Sequence, residues 1–127
     1  MLMGDLSIHI SRHEVACKCG CGFDTADIQL VNVLEACISH FEVKAGKRMS
    51  LHINSWNRCS SYNRTIGGVV SSMHTISKAV DFWISGASPS AVYRYLDQKY
   101  PNMYGIGQYN GRTHLDIRTI KARWDSR

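Results

Sequence analysis

Between Thr25 and Phe41, in TADIQLVNVLEACISHF, the apolar residues Ile28, Val31, Leu34, Ile38 and Phe41 return at helical spacing. That spacing predicts one amphipathic helix, capped by Thr25 or Asp24. Ahead of it, SRHEV reads as a short helical turn, with Ser11 as cap and Glu14 three residues later. Then the period changes. MSLHINS, from Met49 to Ser55, alternates and predicts a strand, and AVDFWIS, from Ala79, predicts a second. The intervening NRCSSYNRTIGG is loop with one short helical turn, ended by Gly67 and Gly68. SPSAVYRYLDQKY predicts a helix with Ser88 as cap and Pro89 at its first position. MYGIGQY and RTHLDIR are two further strands, with NGR as the hairpin turn between them. A leading helix followed by mainly antiparallel strands and one inserted helix is an α+β domain, a small antiparallel sheet with flanking helices.

Composition narrows this to one unit over residues 1–127. The chain is 44% hydrophobic and 20% charged, with two prolines, no repeat and no low-complexity tract. MLMGDLSIHI has no basic start and mixes polar with apolar residues, so neither a signal peptide nor a membrane span is expected. The expectation is synthesis in the cytoplasm as a monomer, without a membrane partner. The net charge is +5, and every charge between Glu42 and Asp81 is basic: Lys44, Lys47, Arg48, Arg58, Arg64 and Lys78. Such a face suits an anionic partner, though solvated surface charges fit equally well. No nucleic acid is expected, because no basic stretch is interleaved with aromatics and no recognition-helix pattern occurs.

Cysteine usage is odd in number and uneven in placement. Three of the five thiols crowd into CKCGCG as Cys17, Cys19 and Cys21. Closely spaced thiols in a chain without a leader point to metal more than to a disulfide framework. The spacing is nevertheless not Cys-x-x-Cys, and no matching Cys/His pair follows. Cys37 falls within the helical pattern and reads as a small buried hydrophobe.

Asp81 is the anomaly that points to chemistry, a carboxylate entering a strand. His74 precedes it by seven residues. On a helix the two would share a face about 10 Å apart, too far for one zinc at about 2 Å. The Gly/Ser-rich loop GGVVSSMHTIS can instead fold His74 back over Asp81. In THLDIR, alternation puts His114 and Asp116 on one side of the strand, with Leu115 and Ile117 on the other. Pairing of the AVDFW strand with THLDI would bring His114 beside Asp81. Two histidines, a carboxylate and an open fourth position make a catalytic zinc set, although this spacing also arises by chance. HEVAC is not a zincin signature, since Cys17 stands where the second histidine belongs. Asn63-Arg64-Thr65 is formally a glycosylation sequon that a chain made in the cytoplasm would not use.

These residues resemble a known family. SSMHTISKAVDF looks like the Ser-x-His-x6-Asp signature of the zinc D-alanyl-D-alanine carboxypeptidases and endolysin peptidases of the M15 type, which share the hedgehog/DD-peptidase fold. INSWNRCSSYNRTIGG is similar to the family's SGxRxxxxN segment, and YGIGQYNGRTHLDIR to its closing strands. HEVACKCGCGF matches a cysteine-bearing subgroup. The likeness runs in order from about Ser11 to Trp124. It implies His74, Asp81 and His114 as Zn2+ ligands, and Arg58 as a catalytic and substrate-binding arginine. Ser72, the serine of the signature, is implied as a substrate contact. The implied substrate is a peptidoglycan stem peptide containing D-amino acids, cut by a DD-carboxypeptidase or endopeptidase. A phage lysin or a particle-borne peptidase is the implied setting, with the cell wall met after release.

Three positions depart from the family pattern. Ser77 stands where the signature has glycine, Trp56 where SG has glycine, and Gly111 where a glutamate usually precedes the last histidine by three. The usual general base is therefore missing. Asp116 is the expected substitute, with ligand orientation or pairing to Arg118 or Arg58 as its other readings. A non-catalytic, zinc-stabilised cell-wall binding module on the same fold is the alternative function. The subgroup also carries a cysteine near position 59, which implies that Cys59 approaches Cys17, Cys19 and Cys21 as a disulfide or a structural metal site.

Overall fold

The computed structural model describes residues 4–69 and 72–127; Val70 and Ser71, within the predicted loop ahead of His74, lie outside the described residues. The elements are α1 (Arg12–Val15), α2 (Ile28–Ala45), β1 (Leu51–Ser55), α3 (Ser60–Thr65), a short 3-10 helix (Met73–Ile76), β2 (Ala79–Ile84), α4 (Pro89–Lys99), β3 (Gly105–Tyr109), β4 (Arg112–Asp116) and β5 (Ala122–Asp125). The fold is α+β, as expected.

Local chemistry sets the helix boundaries. Ser11 and Glu14 form the predicted capping box of α1. Helix α2 is capped by Asp27, whose carboxylate accepts from the amides of Gln29 and Leu30, rather than by Thr25 or Asp24. Asp27 also pairs with Lys78 at 2.9 Å, a distant contact that a local reading cannot see. The helix continues past Phe41 to Ala45 and stops at Gly46, in the left-handed conformation. Ser88 and Pro89 start α4 as predicted.

The sheet runs β1-β2-β4-β3-β5. The first four strands pair antiparallel, whereas β5 joins β3 in parallel. Strand β5 was not anticipated, because ARWD is short, charged and without alternation. One sheet face, with Val80, Phe82, Ile84, Ile106 and Leu115, shares a buried cluster with Leu30, Leu34, Ile38 and Phe41 of α2 and Val92 and Leu96 of α4. Burying each such side chain contributes about 1.5–3 kcal/mol. Cys37 sits in this cluster, fully buried, as the helical pattern implied. The opposite face carries Asp81, His114 and Asp116. No helix among the described residues is long and apolar enough to cross a membrane.

Candidate metal centre

Strand alternation turns Asp81 away from the cluster that holds Val80 and Phe82. On one side β4 places His114 directly opposite Asp81. On the other, β1 is bulged: Ile53 faces Phe82, but Ser55, two residues on, faces Asp81. A bulge bends a strand and re-aims the residues beyond it, here Trp56-Asn57-Arg58. His74 arrives on the 3-10 helix, capped by the Ser72 hydroxyl, which accepts from the His74 amide at 3.2 Å. That helix ends at Ser77, which adopts φ 65°. The conformation favours glycine and accounts for the glycine usual in the signature.

The three predicted ligands meet. One ligand atom from each of His74, Asp81 and His114 lies within 4.8 Å of the others. His74 Nε2 stands 3.3 Å from Asp81 Oδ2, and His114 Nδ1 stands 2.8 Å from Asp81 Oδ1.

The second contact of each ring fixes its tautomer. His74 Nδ1 lies 2.7 Å from the Trp56 carbonyl; a carbonyl only accepts, so Nδ1 carries the proton and Nε2 offers its lone pair to the site. His114 Nε2 lies 2.8 Å from Asp116 Oδ2, and a proton held there leaves Nδ1 free to do the same. Two imidazole lone pairs and a carboxylate then converge, an arrangement that a metal ion satisfies and that protons on the same two nitrogens also satisfy. Metal–ligand bonds of about 2.0–2.2 Å in a tetrahedral set put neighbouring donor atoms about 3.4 Å apart. The His74–Asp81 separation matches that edge. The residues fit a metal ion.

Electrostatics agree. Burial alone would raise the Asp81 carboxyl, but with protons in the metal's place on the facing ring nitrogens, hydrogen bonds from His114 and His74 hold it well below the usual carboxylate range. Burial likewise disfavours charged His114, and the Asp116 and Asp81 carboxylates outweigh it, raising the imidazole above 6.5. Proton and metal compete for the same lone pairs.

Arg58 reaches the centre, with Nη2 3.3 Å from Asp81 Oδ2, and is steadied by Ser55 Oγ at 3.2 Å and Asn63 Oδ1 at 3.4 Å. Asp116 is fully buried with both oxygens engaged. Oδ2 meets His114 Nε2 and Arg118 Nη2, at 2.8 and 2.6 Å, while Oδ1 accepts from Arg118 Nε at 2.7 Å. Burial works against its ionisation, yet His114 and Arg118 hold the carboxyl well below the usual range. Gly111 lies in the turn between β3 and β4 at φ 79°, a conformation a glutamate would adopt only under strain.

Around these groups opens a cleft of about 800 Å³, whose lining includes Ser72, Trp124 and the cations Arg58, Arg112, Arg118 and Lys121. Sequence reasoning missed Trp124 and the two glycines that admit its neighbours. A Cβ at Gly107 would collide with the Trp124 indole, and one at Gly105 with the Asp116 carboxylate and Arg118. Trp124 donates to Tyr109 Oη at 2.9 Å and lies 5.1 Å, ring to ring, from His114. The available signal was a pair of glycines at alternate strand positions, which marks close approach by another group.

A family model described as Peptidase M15 matches residues 8–116, a span that includes His74, Asp81 and His114 but ends before β5 and Trp124. No curated protein and no solved structure matches the chain.

Proposed function

The chain belongs to the peptidase M15 family, and from that premise we propose that it is a zinc-dependent peptidase acting on peptide bonds of D-amino acids in peptidoglycan stem peptides. The observation that carries this reading is the convergence of two imidazole lone pairs and the Asp81 carboxylate at the floor of an open, arginine-lined cleft. His74 Nε2, Asp81 and His114 Nδ1 would hold the ion. When bound, zinc supplies Lewis acidity, polarising a carbonyl and bringing the pKa of water from about 15.7 towards 7.

The chain's own residues do the rest. The Trp56 carbonyl and Asp116 hold the two imidazoles in the tautomers that present their lone pairs. Arg58 offers a charge-assisted hydrogen bond to a scissile carbonyl or to the oxyanion that develops from it. Arg112 and Lys121 give the cleft a positive field that attracts peptides bearing free carboxylates. Ser72 lines the same cleft as a substrate contact. Acting as a base would require Asp116 to turn a free oxygen to the substrate, and neither oxygen is free, so its role is to orient His114. A lysin-like or particle-borne enzyme that meets the wall from outside the producing cell is the setting in keeping with this chemistry.

A binding module is the second reading, and Gly111, in place of the expected glutamate, favours it. Incubation of the zinc-loaded protein with purified peptidoglycan, followed by mass spectrometry of the soluble products, tests both. A stem-peptide cleavage abolished by His74→Ala supports the peptidase and names the bond. Retention on peptidoglycan with no new termini overturns it in favour of the module.

A further inference from the structure

Away from the cleft, the thiols of Cys17, Cys19, Cys21 and Cys59 lie within 4.8 Å of one another, although Cys59 is 40 residues beyond Cys19. We propose that these four cysteines bind one structural metal ion of the zinc class, separate from the histidine–aspartate centre.

The distances carry the inference. A tetrahedral ion with metal–sulfur bonds of about 2.3 Å puts its sulfurs about 3.8 Å apart. Cys17 and Cys19 are separated by 3.4 Å and Cys19 and Cys59 by 3.6 Å. Cys19 thus touches two partners at once, as ligands of a shared ion do, whereas a disulfide joins one pair at about 2.05 Å. Four soft sulfur donors and no carboxylate or imidazole among them select zinc-like metals.

The chain around the thiols is shaped for this. Gly20 and Gly22 alternate with the cysteines and take φ 81° and 89°, left-handed turns that let successive thiols face one point. The Cys59 amide donates to Cys17 Sγ, and the Tyr62 amide to Cys59 Sγ, each at 3.4 Å. Amides directed at sulfur stabilise thiolate charge and fix the ligand's orientation. Cys17 is buried while Cys19 and Cys21 are exposed, which leaves an entry path for the ion.

The site would tie the amino-terminal arm to the loop that presents Arg58, the residue before Cys59. The same junction is also joined by Asn57 N to the Val15 carbonyl at 3.2 Å and Asn57 Nδ2 to the Thr25 carbonyl at 2.6 Å. Metal binding at the four thiols requires no peptidase activity.

The double variant His74→Ala/His114→Ala, lacking the other centre, is purified and its metal counted by native mass spectrometry and elemental analysis. One zinc per chain is expected. In that background Cys19→Ser/Cys59→Ser should lose it, and Cys37→Ser should not. Because a cysteine variant can unfold, cobalt is also loaded into the unaltered chain, where thiolate-to-cobalt charge-transfer bands are expected. After chelation and denaturation without reductant, all five thiols should react. A metal-free double variant with no thiolate–cobalt bands in the unaltered chain overturns the proposal. So does a thiol count below five, which means a disulfide, or iron accompanied by inorganic sulfide.

Discussion

The Trp56 carbonyl accepts the Nδ1 proton of His74 at 2.7 Å, and the same residue's indole Nε1 donates to the Ser77 carbonyl at 3.1 Å. Trp56 and Ser77 are two of the positions at which this chain departs from the family pattern, and the structure joins them around His74. Trp56 is completely buried, so its bonds are shielded from water and a lost partner is costly.

Two substitutions should therefore act in opposite directions. Trp56→Phe strands the buried Ser77 carbonyl and should lower stability by about 1–3 kcal/mol, with weaker metal binding at His74. Ser77→Gly relieves a left-handed non-glycine residue, offset by the greater freedom of glycine in the unfolded chain, for a net gain of about 1 kcal/mol. Urea denaturation of both variants checks this. A destabilised Ser77→Gly chain would mean that the serine is held there by something other than Trp56.

His9 should make stability depend on pH. Its ring nitrogens contact Glu35 Oε1 at 2.6 Å and Glu42 Oε2 at 2.9 Å. Burial opposes charging of His9, but the two carboxylates win and raise its pKa above 6.5. A raised imidazole pKa stabilises the fold fully below 6.5 and loses that contribution as pH rises through the folded value. Glu42 works at the other end. Despite burial, the Met49 amide and His9 lower its pKa below 4.5, so its contribution is present above 4.5 and fades as pH falls through the folded value. Stability should peak between these limits and decline on the alkaline side. In His9→Gln that alkaline decline should disappear; denaturant midpoints measured in excess metal across the range would show it, and an unchanged decline would remove His9 as its source.

Gly107→Ala should impair the cleft more than the fold. The added methyl displaces the Trp124 indole, which lies against His114 and is held by Tyr109. A shift of about 1 Å near reacting groups can cost about 10²-fold in rate. Peptidoglycan turnover should fall by that order while zinc content holds, and tryptophan fluorescence should change. Unchanged turnover with altered fluorescence would mean that Trp124 is not a wall of the working cleft.

The site was more legible than its surroundings. Asp81 and His114 could be paired from sequence because alternation assigns each to a face and neighbouring antiparallel strands restrict the register. The Asp27 cap was not legible, since Asp24, Thr25 and Asp27 all offer oxygens and the choice is reinforced by Lys78, 51 residues away. Strand β5 was missed for a related reason: Arg123 is fixed by Asp97 at 2.7 Å and by the carbonyls of Tyr100 and Tyr104, none of which a local pattern encodes. The bulge opposite Asp81 was equally hidden, because a surplus residue in β1 is visible only once β2 is set beside it.

Asp116→Asn separates orientation from proton transfer. Asp116 is fully buried, and its oxygens are taken by His114 Nε2 and by Arg118, which makes two side-chain bonds to it. Asparagine keeps the shape but gives one oxygen and one NH2 group, so it cannot accept from both partners as the carboxylate does. His114 would then be held less firmly in the tautomer that presents Nδ1. Metal affinity should fall by about 10–100-fold, with turnover restored when zinc is raised to saturation. The partnered base of a proton-transfer step behaves differently: its loss leaves zinc in place and lowers turnover by about 10²–10⁴ at every metal concentration. Arg118→Gln serves as the companion, since it frees one side of Asp116 without touching His114 and should weaken zinc binding less. Measuring zinc affinity by competition with a chelating dye, alongside turnover at saturating zinc, distinguishes the outcomes. Full zinc occupancy with a turnover deficit that added metal does not repair would return Asp116 to the role of base.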